Sequence, residues 1–202
     1  MKNPFTIRNM PYIAILVAIE IVLQYIGNAI AFGPISINLS LVPIALGAII
    51  FGPWVGLFLG TINSLFVLMA PSTMIFYNVS VVGTIITVFI KSGAAGFFGG
   101  LIYLLINKRN NLLATIVTSI SIPLINTGLF IVGSLTFFRS FLESNSTNFN
   151  NIYEFLFIGM IGWNFIFEIT TSIVLIYPIY RIILYYQNKH QVVEAWYKER
   201  LT

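Results

Sequence analysis

The stretch Ile35-Ser-Ile-Asn-Leu-Ser-Leu-Val-Pro-Ile-Ala-Leu-Gly-Ala-Ile-Ile-Phe-Gly-Pro-Trp-Val-Gly-Leu-Phe-Leu-Gly60 reads as two apolar segments joined by a very short turn, Phe51-Gly52-Pro53-Trp54. The first, Ile35 to Phe51, barely crosses a bilayer at about 1.5 Å per residue. The second begins at Pro53, a natural first-turn position, and continues to Ala70. Its glycines, Gly52, Gly56 and Gly60, recur every fourth residue and are followed by Ser64. That spacing makes a seam along which another helix backbone can approach closely.

Outward from this pair, the same apolar pattern repeats. Pro11 to Phe32 precedes it, and Phe76 to Ile106, Leu112 to Phe138 and Phe155 to Tyr186 follow. The expected fold is an all-α membrane protein. It is a compact bundle of six transmembrane helices in one domain, residues 1–186, with a polar cytoplasmic tail at 187–202. A second small-residue seam, Gly96 and Gly100 with Ala95 and Gly99, lies in the fourth segment. Ala29-Ile-Ala31 resembles a cleavage site, but the segment before it is long and carries Glu20 and Gln24, so it reads as a retained helix.

Composition agrees. Apolar residues make up 58% of the 202, charged residues 8%, and mean hydropathy is +0.93. A soluble domain carries about 25% charged residues. Cys and Asp are both absent, and the one His, His190, lies in the tail. These absences exclude disulfides, thiolate catalysis, a Ser–His–Asp triad, zinc clusters and Asp-rich Mg²⁺ sites. No Gly-x-x-x-x-Gly-Lys-Ser/Thr loop is present, so the chain hydrolyses no ATP through such a loop. No cofactor or metal is expected, and enzymatic chemistry would have to rest on Glu or Lys.

Basic residues orient the segments. Lys2, Arg8, Lys108, Arg109, Arg181, Lys189, Lys198 and Arg200 fall on one side if six spans start and end in the cytoplasm. Arg139 falls outside, and Lys91 within the membrane. The +4 net charge is accounted for by anionic lipid at the inner face and calls for no nucleic acid. Gly33 to Leu39, Pro71 to Tyr77 and Arg139 to Glu154 become the outer connections, the last of them long enough for a lid.

Ionisable groups inside a bilayer are costly and are functional by default. Glu20, Lys91 and Glu168 are the three here. Glu20, Gln24 and Asn28 form one stripe of the first helix, and Ala14 and Ala18 a second, about 140° from Glu20. Asn164 and Glu168 share a face, and Asn126-Thr127 follows Pro123. The expected binding set is Glu20, Gln24, Asn38, Tyr77, Asn78, Lys91, Asn126, Thr127, Trp163, Asn164 and Glu168. Phe76, Tyr77 and Trp163 would supply an apolar wall to this pocket. A structural ion pair among Glu20, Lys91 and Glu168 is the competing explanation of the charges.

The Ile35–Gly60 stretch resembles the second and third helices of substrate-binding S components of energy-coupling factor (ECF) vitamin transporters. Ala14-x-x-x-Ala18 resembles their first-helix docking motif. Lys91 with its Gly/Ala-rich half-helix, Pro123-Leu-Ile-Asn-Thr-Gly-Leu-Phe130 and Asn164-x-x-x-Glu168 are similar to later helices of the riboflavin/pantothenate-like branch. The resemblance implies high-affinity vitamin binding near the outer face and docking through Ala14 and Ala18. The partners it implies are a transmembrane coupling (T) subunit and two ATPase subunits, in a prokaryotic cytoplasmic membrane. The bound subunit would topple to release its cargo inside. Lys91 ranks pantothenate, a small anion, ahead of riboflavin and cobalamin. A self-sufficient facilitator is the expectation of another class.

Overall fold

The computed structural model describes residues 4–185 apart from 8, 30, 33, 34, 176, 177, 179 and 183. The expected tail at 187–202 lies outside the described residues, as do Lys2 and Arg8.

Helix α1 covers Met10–Ala29. A minimal antiparallel pair follows, β1 (Ala31–Phe32) with β2 (Ile35–Ser36). Next come α2 (Leu41–Phe51) and α3 (Pro53–Leu68), with Pro53 in the first turn of α3. Gly52, at φ +93°, makes the reversal between them in a conformation that other residues rarely adopt. A short 3-10 turn, Pro71–Thr73, leads into α4 (Met74–Tyr77). Helix α5 (Val81–Asn107) is capped by Ser80, whose hydroxyl accepts from Gly83 N, and α6 (Asn111–Phe137) by Asn110, which accepts from Leu113 N. Helix α7 covers Arg139–Asn145, and the last long apolar helix, α8, covers Ile152–Ile182, with wide π-type turns at Phe155–Gly162.

Apolar helices therefore lie where all six segments are expected, but their lengths differ from the expectation of six spans. Helices α1, α5, α6 and α8 are long and apolar enough to cross a membrane, and α3 with the Pro71–Tyr77 segment makes a fifth candidate, bent by 75°. Helix α2 has 11 residues, about 16 Å, against a hydrocarbon core of about 30 Å. Helix α3 ends at Leu68, near the expected end at Ala70, because Pro71 has no N–H to continue it, and the expected outer connection Pro71–Tyr77 is itself helical. The chain is a multi-pass membrane protein of all-α class.

Close packing of α3 on α5 holds the bundle together. A Cβ on Gly56 would meet the Gly96 backbone, one on Gly60 the Ser92 backbone, and one on Gly100 the Pro53 backbone. The two glycine seams therefore face each other, backbone against backbone. Ile44, Ala48, Val55, Leu59, Ala95 and Ile122 fill one core among α2, α3, α5 and α6.

The Arg139–Glu154 connection is more ordered than the loop expected there. Phe138, Leu142, Phe155, Leu156 and Met160 bury themselves against Phe76, with Phe141 and Phe149 beside them. Phe76 meets the Phe138 ring at 4.9 Å and the Phe141 ring at 5.6 Å. Phe138, Phe141 and Leu142 have helical spacing, and Arg139 pairs with Glu143 at 2.9 Å one turn on, so the segment has its own reason to be a helix.

Candidate functional site

Two cavities adjoin inside the bundle. The first is walled by Gln24, Thr84, Thr87, Phe76 and Phe138, among others. The second is walled by Asn126, Thr127, Asn164, Phe165 and Glu168, among others. Ser36, Asn38, Lys91 and Phe130 border both, so the two are lobes of one space that meet at these four residues. The Lys91 ammonium lies 5.2 Å from the centroid of the Phe130 ring, within cation–π range.

Each wall follows from local structure. On α5, Thr84, Thr87, Val88 and Lys91 fall at helical spacing on one face. On α6, Asn126 and Phe130 are one turn apart, as Asn164 and Glu168 are on α8. The chain after β2 carries Asn38, whose backbone N–H donates to Glu168 Oε1 at 3.1 Å. The Thr127 hydroxyl faces the same carboxylate. Residues 130 positions apart thus close the cavity from opposite ends of the chain.

Polarity within this space is incompletely matched. Asn38 Nδ2, Asn126 Oδ1 and Thr87 Oγ1 are buried without a partner among the described residues. Burying a polar group unbonded costs about 1–3 kcal/mol. Each of the three belongs to a residue of the cavity wall, where a ligand's own donors and acceptors would meet it.

Of the expected set, Gln24, Asn38, Lys91, Asn126, Thr127, Asn164 and Glu168 line this space. Four do not. Glu20 is fully buried but lines neither lobe. Tyr77 is half-buried, and its hydroxyl donates to Leu68 O at 2.9 Å, bridging the break after α3. Asn78 is exposed. Trp163 is 62% exposed. It adjoins Asn164, and neighbours in a helix point about 100° apart, so placing Asn164 in the cavity turns Trp163 outward. Phe130, Phe138 and Phe165 form the aromatic wall with Phe76 instead.

Ser36, Thr87 and Phe130 were not singled out by the sequence. The spacing of Asn126 to Phe130 and of Thr87 to Lys91 is the signal that points to the last two. Ser36 is placed by long-range bonds, donating to Asn28 Oδ1 at 3.2 Å and pairing with Ser72 at 3.1 Å, which no local pattern announces. On α1, Ala14 and Ala18 are exposed, whereas Glu20 and Gln24 are buried. Among the described residues no three His, Cys, Asp or Glu side chains gather as a metal site.

A family model described as ECF transporter, substrate-specific component matches residues 8–192. No curated protein and no solved structure matches the chain.

Proposed function

The chain belongs to the substrate-specific components of ECF transporters, and we propose that it binds pantothenate, or a small carboxylate vitamin like it, in the two-lobed cavity at Lys91. Components of this family are substrate-binding transport subunits rather than enzymes, and partner subunits hydrolyse the ATP.

One observation carries the choice of ligand. Glu168 already receives the Asn38 N–H and faces the Thr127 hydroxyl, while no carboxylate lies within 4.0 Å of Lys91 among the described residues. Glu168 shares the cavity and attracts Lys91 without forming an ion pair with it, which leaves the ammonium's donors for a ligand carboxylate, with the donor of Asn38 and the acceptors of Asn126 and Thr87 for the amide and hydroxyl groups that pantothenate carries. The wall of Phe76, Phe130 and Phe138 favours a second reading, a flat aromatic vitamin such as riboflavin. Cobalamin needs a wider cavity than these lobes offer.

The topology we propose has six passes and both ends in the cytoplasm, with short α2 completing the count, in a prokaryotic cytoplasmic membrane. The exposed Ala14 and Ala18 stripe would dock on the T subunit, which carries two ATPases. Helix α7, resting on Phe76 at the cavity wall, would serve as the lid. Uptake into vesicles holding this chain alone, without ATP, would favour the facilitator reading instead. Extraction of ligand from the purified chain, followed by its mass, tests the vitamin directly.

A further inference from the structure

Bordering the cavity, a second polar centre lies among α1, α2 and α3. The Ser40 hydroxyl stands 3.1 Å from Gln24 Oε1 and 2.6 Å from Asn63 Oδ1, and it also touches Asn38 Oδ1. One hydroxyl hydrogen serves one of these three acceptors. The amide groups of two of them are engaged elsewhere. Gln24 Nε2 donates to Asn28 Oδ1 at 2.9 Å, and Asn63 Nδ2 to Ser92 Oγ at 3.2 Å. Glu20 precedes Gln24 by one turn on the same buried face of α1, and its carboxyl lies beside the Asn63 backbone amide. It is 0% exposed, and neither oxygen has a hydrogen-bond partner among the described residues. No cation lies within ion-pair distance of it there.

We propose that this cluster is a sodium site, with Ser40 Oγ, Gln24 Oε1, Asn38 Oδ1, Asn63 Oδ1 and the Glu20 carboxylate as its oxygens. Hard cations take sets of carboxylate, amide and hydroxyl oxygens. A lone buried carboxylate balances one positive charge, whereas a divalent ion would leave a net charge in a low-dielectric interior. Gln24 Oε1, Asn38 Oδ1, Asn63 Oδ1 and the two Glu20 oxygens make five acceptors against one hydroxyl hydrogen, a surplus that a monovalent cation such as Na⁺ would match. Gln24 and Asn38 also line the cavity, so an ion here would stiffen one wall of it.

The test is the thermal midpoint of the full chain in detergent, titrated with NaCl, KCl or choline chloride at constant ionic strength. The expected result is a saturable rise of about 2–4 °C or more in Na⁺ alone. Glu20→Gln, which keeps the shape and removes the charge, is expected to lose that rise, as is Ser40→Ala. Equal midpoints in Na⁺ and choline, an equal rise in K⁺, or a Glu20→Gln variant that keeps its Na⁺ response would each overturn the site. So would a midpoint that responds to pH and not to Na⁺, which would assign a proton to Glu20. No vitamin or partner subunit enters the measurement, so its failure leaves the transport reading intact.

Discussion

Lys91 and Phe130 face each other across the junction of the two lobes, ammonium to ring centroid 5.2 Å, and with Ser36 and Asn38 they are the residues common to both. Any ligand that fills the whole space must pass this pair. Lys91→Ala is expected to weaken binding of a carboxylate vitamin by about 10- to 100-fold, the loss of a charge-assisted hydrogen bond of about 1.5–3 kcal/mol. Lys91→Arg should recover part of it. Titration of purified variants by calorimetry reads both, and unchanged affinity in Lys91→Ala would make the lysine structural.

Trp163 provides the contrasting case. Because it is exposed while its neighbour Asn164 lines the cavity, Trp163→Ala should change ligand affinity less than about twofold. Asn164→Ala should weaken it by about tenfold. A large loss at Trp163 would mean that the ring does reach the ligand.

Docking and binding should separate on α1. Ala14→Leu or Ala18→Leu adds bulk to an exposed stripe, whereas Gln24 is buried on the other face of α1. Uptake in the assembled transporter should fall at least tenfold, while the isolated chain binds its ligand as before. Lost binding in a normally folded variant would argue against a docking role.

The α3–α5 seam sets stability. Gly96→Leu must push the Gly56 backbone away, and overpacking of this kind costs about 1–3 kcal/mol or more. The thermal midpoint should fall by several degrees. Gly128→Ala serves as the control, since nothing lies within 4 Å of a Cβ placed there.

Leu142 ties the proposed lid to the aromatic cluster and is fully buried. Leu142→Ala should cost about 2–5 kcal/mol of local packing. In stopped-flow release measurements the ligand should leave several-fold faster, with a smaller change in association rate.

Much of this was legible in advance where the signal is local. The period-four stripe from Glu20 and Gln24, both buried, to half-buried Asn28 and the paired glycine seams follow from helix geometry alone. Asn164 and Glu168 were placed together for the same reason. What escaped the sequence depends on distant partners or on breaks. The 11-residue length of α2 comes from a turn at Ser40 within an apolar run, and the Pro71–Tyr77 connection, expected as a loop, is itself helical. The bond from Asn38 to Glu168 joins a loop to a helix 130 residues away. Helix α7 had a readable pattern in Phe138, Phe141 and Leu142, overshadowed by the polar run Ser144-Asn145-Ser146-Thr147-Asn148 that follows it.

The central claim is that the Lys91 cavity holds a small carboxylate vitamin. Native mass spectrometry of the purified chain beside Lys91→Ala tests it most directly. The account predicts an adduct with the mass of pantothenate or a comparable carboxylate on the wild-type chain, lost or sharply reduced in Lys91→Ala. An adduct of a neutral vitamin, equally abundant in both proteins, would contradict it.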